Sequence, residues 1–186
     1  MGAQKQDCER NGARRWLNAH RERVAGLRPI YLGDSLFFCQ PLAEAVPARG
    51  ADFIFMCKPD GRKTLYEYLK CVELEEFTTI VRKPGKHTLT YHYSWINGVP
   101  LGDGKDALDV NWLAISLIND DGKTTYKGAF ATSLEITRDN VEQVAACGRP
   151  RSKIENETFN ALKNNGYNLA HALETERNTL PRSLPS

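Results

Sequence analysis

Apolar and polar positions change rhythm twice along this chain. Between residues 7 and 25, Ala13, Trp16, Leu17, Ala19 and Val24 recur at mostly helical spacing among Arg and Glu, so a helix ending near Gly26 is expected. Pro29-Ile30-Tyr31-Leu32-Gly33 is a short apolar run bounded by Pro and Gly, the mark of a buried strand, and it delivers Asp34 at its carboxyl end. Residues 41–49 open on Pro and suit a short helix, and residues 51–57 read as a second buried strand. Strand, helix, strand is the alternation of an α/β layer. Residues 64–70 predict one or two further helical turns.

From about Thr78 the period becomes two. Residues 78–83 and 88–95 flank Pro84-Gly85, and residues 110–118 and 124–132 flank Asp121-Gly122, so two antiparallel hairpins are expected. Asn97-Gly98 and residues 102–106 read as further turns. Helical spacing returns after Asp139, which has Glu142 three residues on as in an N-terminal cap, with Gly148 as the expected stop. A second helix is expected over residues 151–165, ending at Gly166.

A length of 186 residues allows one domain, or one domain carrying an insertion. The net charge of +2 shows no bulk excess, so any surface for nucleic acid has to be local. No stretch approaches the ~18 apolar residues of a membrane span. The first residues lack the apolar core of a signal peptide, and Met-Gly without Ser or Thr at position 6 is a poor acylation site, so a cytoplasmic protein is expected. Cys8, Cys39, Cys57, Cys71 and Cys147 are odd in number and never paired as C-x-x-C; they are expected to be buried thiols rather than disulfides or zinc ligands. The four histidines show no metal-ligand spacing.

Two carboxylates stand out. On a helical wheel Ile154, Phe159, Ala161 and Leu162 share one arc, and Glu155 and Arg151 fall inside it, while Lys153, Asn156, Asn160 and Asn164 face outward. A core-facing carboxylate needs a cation, a hydrogen-bond set or a metal. An internal ion pair between Arg151 and Glu155, four residues apart, satisfies that need, and so does a metal held by Glu155. Asp34 invites two readings as well: a helix cap made with Ser35, or a ligand beyond the carboxyl end of a strand, where α/β sheets bind theirs.

Three segments together resemble the DDE transposases of bacterial insertion sequences. They are Tyr-Leu-Gly-Asp-Ser-Leu-Phe at 31–37 with Gln40-Pro41, then Phe-Met-Cys-Lys-Pro-Asp at 55–60 with Thr64-Leu65-Tyr66-Glu67, and Lys-Ile-Glu-Asn-Glu-Thr-Phe-Asn-Ala-Leu-Lys-Asn-Asn-Gly-Tyr at 153–167. The match runs from about Gln4 to His171. The resemblance implies an α/β fold, a partial RNase H-like fold interrupted by an antiparallel β-rich insertion. Residues 1–76 would hold the second catalytic Asp, residues 77–136 the insertion and residues 137–171 the helices with the catalytic Glu. In the family two Asp and one Glu hold two Mg²⁺ or Mn²⁺ ions, and water and then a 3′ hydroxyl attack a phosphodiester.

Carried onto this sequence, Asp34 and Glu155 take the catalytic, metal-binding positions, and Arg151 and Lys163 match basic positions that contact DNA. The family's first Asp lies in strands that precede this segment, whereas only a helix is expected before Asp34, which leaves the Asp34 strand with an unpaired edge and metal binding weak or absent. Past His171 the family continues with a Gly-rich basic segment; an adjacent reading frame of residues 173–185 can spell such a continuation, so residues 172–186 are expected to be a frameshifted, disordered tail. The expectation is a transposase fragment, inactive as encoded, with transposon-end DNA as partner and a homo-oligomer as an open arrangement. The alternative is a catalytically silent fragment that binds DNA or a partner and interferes with intact transposase.

Overall fold

In a computed structural model of the chain the described residues are 8–60, 62–82, 88–102 and 104–153, the last three by backbone alone. Their order is α1 (Glu9–Ala19), α2 (Arg21–Leu27), β1 (Ile30–Gly33), α3 (Gln40–Ala45) with a 3₁₀ turn (Pro47–Arg49), β2 (Asp52–Met56), α4 (Lys63–Leu69), β3 (Glu75–Arg82), β4 (Thr88–Pro100), β5 (Asp109–Asn119), β6 (Thr124–Thr132) and α5 (Val141–Lys153). A first compact unit ends inside α5, at Arg149. The class is α/β, with five α-helices and one six-stranded mixed sheet among the described residues. None of these helices is long and apolar enough to cross a membrane.

The strand order is β1-β2-β6-β5-β4-β3. β1 and β2 are parallel, and every other neighbouring pair is antiparallel. The two-residue rhythm seen from Thr78 does not build a separate layer. β6 pairs with β2 through Ile54↔Thr132, Phe55↔Ala131 and Met56↔Phe130, which fuses the antiparallel block to the parallel pair edge to edge. Thr132 seals that seam: it is fully buried, and its hydroxyl donates to the Phe53 carbonyl at 2.6 Å.

Alternation along the strands divides the interior into two cores. Phe53, Phe55, Trp112 and Ala131 belong to the core that takes in Leu17, Val24, Leu42 and Leu65 of α1 to α4. Their chain neighbours Ile54, Leu113 and Phe130 belong to the other core, under Val141, Val144 and Ala145 of α5. Burying side chains of this size is worth roughly 1.5–3 kcal/mol each, so register is strongly specified: a one-residue slip would exchange the two sets.

Several expectations are corrected. The helix expected over residues 7–25 is two helices, because the backbone leaves helical geometry at His20 (φ −114°, ψ 22°), whose ring stacks on Trp16 at 4.6 Å. Asn97-Gly98 is a bulge inside β4 and no turn: pairing passes from Ile96↔Trp112 to Val99↔Val110, and Gly98 takes φ 71°. The Asn97 side chain fixes the bulge by bonding both the carbonyl and the N–H of Ile136, at 2.8 and 3.0 Å. Asp139 does not cap α5; Asn140 precedes the first helical residue and its side chain bonds Thr137 N–H and the Glu135 carbonyl, both at 2.8 Å. Gly148 does not stop α5, which runs on through Pro150 to Lys153. It is where the helix crosses Phe130, since a Cβ there would lie 2.9 Å from that ring. Of the five thiols only Cys57 is buried; Cys39 is half-buried, and Cys8, Cys71 and Cys147 are exposed.

Candidate functional site

Both parallel strands end on the same side of the sheet, and the chemistry-bearing side chains gather there. β1 reaches that end through Gly33, where a Cβ would stand 2.7 Å from the Phe55 ring and 3.0 Å from Phe37 Cβ, so only glycine fits without displacement. Asp34 follows. Its Oδ1 accepts the Leu36 N–H at 2.9 Å and its carbonyl accepts the Phe37 N–H at 3.2 Å. This is an Asx turn, a short side chain closing a backbone turn, and no helix begins there. The cap reading of Asp34 and Ser35 is therefore replaced by a turn that swings the chain off the strand end.

That turn forms one wall of a cleft of about 260 Å³ lined by Arg10, Ser35, Phe38, Lys58, Asp60 and Arg62. β2 supplies the opposite wall. Its ladder ends with Cys57 N–H donating to the Ala129 carbonyl at 2.8 Å, and Lys58 and Pro59 then leave the sheet. The Arg62 N–H donates to the Pro59 carbonyl at 3.0 Å, closing a turn that returns Arg62 toward Phe38, over whose ring the guanidinium sits at 4.7 Å. Arg10 arrives from α1, and its Nε donates to the Leu36 carbonyl at 2.8 Å, which fixes the plane of the guanidinium. Three cations thus converge on one cleft against one carboxylate, Asp60. Such a cluster is suited to an anion with several acceptor oxygens, and Arg in particular to a phosphate.

Burial pushes the Cys57 thiol up to about 11, against the opposing pull of the Tyr66 hydroxyl, the Arg62 charge and the Trp112 indole. Tyr66, whose hydroxyl donates to the Cys57 carbonyl at 2.6 Å, is likewise raised by burial. Cys57 is therefore a packed thiol, with none of the depressed pKa of a nucleophile. A larger groove of about 470 Å³ lies beside it, floored by Ser94, Ala114, Ser116 and Ala129 and walled by Tyr66 and Trp112.

Of the residues singled out in the sequence, Asp34 is the one whose side chain is described. Arg151 lies on the final turns of α5, with its side chain outside the described residues, as are Glu155 and Lys163. The proposed tail, residues 172–186, also lies outside them. Among the described residues no three His, Cys, Asp or Glu side chains converge as metal ligands. By themselves they do not fit a two-ion centre, so no step is routed through one. Arg10, Lys58 and Arg62 were not singled out by their sequence. Lys58 was within reach of the rule that ligands bind beyond strand carboxyl ends; Arg10 was not, because its place depends on how α1 packs on the sheet. Comparison with family models and with curated proteins finds no match for this chain.

Proposed function

We propose that the chain is a piece of a DDE transposase with a partial RNase H-like fold, and that as it stands it binds DNA without cutting it. The observation that carries the reading is the position of Asp34 at the carboxyl end of β1, beside β2 running parallel, next to the Arg10, Lys58 and Arg62 cleft. The resemblance assigns Asp34 to a catalytic position, and a phosphodiester is the anion that such a cleft would take. Glu155 would be the second acidic position, with Arg151 and Lys163 adding DNA contacts. Within this sequence the resemblance supplies two of the family's three carboxylates, which is the reason for expecting no cleavage.

Binding is measured by fluorescence anisotropy of labelled duplex DNA carrying transposon-end sequence, over a salt series. Each phosphate neutralised contributes a slope of about −0.9 to log K against log salt. Replacing Arg10, Lys58 and Arg62 by alanine should flatten that slope by roughly 2. A slope unchanged in the triple variant removes the cleft from the interface. Mg²⁺- or Mn²⁺-dependent cleavage of those ends, lost on Glu155→Ala, would overturn the silent state and make the chain a nuclease.

A further inference from the structure

Eight large apolar side chains are exposed among the described residues, and they gather near the two edges of the sheet: Trp16, Leu27, Ile30, Leu32 and Leu36 around β1, and Ile80 and Val81 on β3 with Tyr68 apart from both. Unpaired edges invite another strand unless they are charged or covered. β3 carries Glu75, Glu76 and Arg82 along its length, whereas β1, Ile-Tyr-Leu-Gly, has no charge at all. Among the described residues β1 has one neighbour, β2.

The ladder fixes which groups of β1 face outward. The Asp52 N–H donates to the Pro29 carbonyl at 3.0 Å, with Ile30 opposite Asp52. In a parallel ladder that alternation turns the backbone groups of Pro29, Tyr31 and Gly33 toward β2, and those of Ile30 and Leu32 away from it. Ile30 and Leu32 are also the side chains left 42% and 43% exposed, on the face opposite Tyr31, which packs edge-on to Trp16. The donors, acceptors and apolar surface at this edge are therefore arranged symmetrically about Tyr31. Arg28 and Asp34 flank it symmetrically as well, three residues to either side.

We propose that this edge pairs with a second copy of the chain, antiparallel, with Tyr31 opposite its counterpart on a two-fold axis. A two-fold interface needs a self-complementary surface, and this register alone sets Ile30 against Leu32 of the second copy in both hydrogen-bonded positions. Shifting by two residues either way leaves a single such pair. The same register brings each Arg28 toward the Asp34 of the other copy, so the charges complement where the apolar pairs end. The inference stands on the edge geometry and not on the transposase reading.

The test is sedimentation velocity of the full chain over a concentration series, together with oxidative cross-linking of a Tyr31→Cys variant in a background of Cys8→Ser, Cys71→Ser and Cys147→Ser. Across the axis Tyr31 would form a non-hydrogen-bonded pair with Cα atoms ~4.5 Å apart, within disulfide range. The expected result is a concentration-dependent dimer, joined in the Tyr31→Cys variant by a disulfide across the axis. Leu32→Lys should raise its dissociation constant roughly tenfold or more by charging the edge. Arg28→Glu, which sets like charges together, should weaken the dimer by roughly threefold or more, and Arg28→Lys should leave it intact. Far-UV circular dichroism shows that the variants are folded; should Leu32→Lys unfold, the Arg28 pair decides. A monomer at every concentration, a dimer indifferent to both Leu32→Lys and Arg28→Glu, or a dimer that Tyr31→Cys fails to cross-link would overturn the proposal.

Discussion

β4, β5 and β6 run 13, 11 and 9 residues, while β1 and β2 run 4 and 5. In the long strands the two-residue alternation decides nearly every side chain: Trp95, Leu113 and Phe130 are essentially inaccessible, and their chain neighbours turn to the other face. In the parallel pair the strands are hardly longer than the loops that leave them, and those loops carry Asp34, Ser35, Lys58, Asp60 and Arg62 toward solvent. Residues in the first region are explained by packing. Cations brought together around a cleft in the second are not, since mutual repulsion opposes their gathering, and that difference is what marks the loops as the place for chemistry.

The sharpest way to break this division is to truncate on both sides of it. Phe130→Ala empties the middle of the core under α5 and should cost about 3–5 kcal/mol, enough to unfold much of the population of a marginally stable domain. Lys58→Ala and Arg10→Ala should each stay within about 0.5 kcal/mol, as surface changes do. Urea unfolding monitored by tryptophan fluorescence measures all three. A Lys58→Ala loss comparable with that of Phe130→Ala would mean that the cleft cations are structural.

Two glycines sharpen the same boundary. Gly148→Ala drives a methyl into the Phe130 ring, and Gly33→Ala drives one into Phe55 and Phe37. Overpacking of this kind costs about 1–3 kcal/mol. The Gly33 variant should show, in addition, a disturbed Asp34 turn, read as faster amide exchange at Leu36 and Phe37. If Gly33→Ala is neutral, the strand end beside Asp34 is looser than the antiparallel block throughout.

How far these features were legible follows the same line. The hairpins of residues 78–95 and 110–132 showed in the sequence because strict alternation and Asp-Gly are local signals, and the strands stand within a few residues of where the pattern put them. Gly148 and Asn97-Gly98 misled because the same residue types serve close approach, bulges and stops, and only the partner decides which: Phe130 in one case, Ile136 in the other. The seam between β2 and β6 was invisible, being a pairing across some 80 positions with no local mark. Asp34 was legible as a strand-end carboxylate. The cations that face the neighbouring cleft come from three separate elements, and nothing in their spacing announces that they meet.

A pH series probes the two halves separately. Burial raises the Cys57 thiol from 9.0 to about 11 and, with Glu142 and Tyr91 adding to it, raises the Tyr93 phenol from 10.0 to about 12. Both groups are held neutral in the fold, so the unfolded chain ionises first. Their contribution is complete below pH ~9 and is lost as pH rises, through 9 to 11 for the thiol and 10 to 12 for the phenol. The melting temperature should therefore decline above pH 9. Cys57→Ala should remove the earlier part of the decline and Tyr93→Phe the later part. A flat profile between pH 8 and 11 would show that neither group is held neutral by burial.

The smallest expected effect is the most informative about Asp34. Its carboxylate closes the turn through one oxygen, and the amide oxygen of Asn can accept the same Leu36 N–H, so Asp34→Asn should change stability by less than about 0.5 kcal/mol, whereas Asp34→Ala loses the bond and about 0.5–1.5 kcal/mol. The two variants remove the same negative charge, one residue from Ser35 in the cleft wall. If the cleft takes a phosphodiester, both should bind DNA slightly more tightly than the parent, by no more than about threefold at physiological salt, where screening acts within ~8 Å. Stability and DNA affinity then move independently: Asn changes the second alone, and Ala changes both. If affinity instead falls in step with stability, the carboxylate acts on the cleft through the shape of the turn. The charge contrast between the cleft and the packed sheet would then have no part in how the molecule meets DNA.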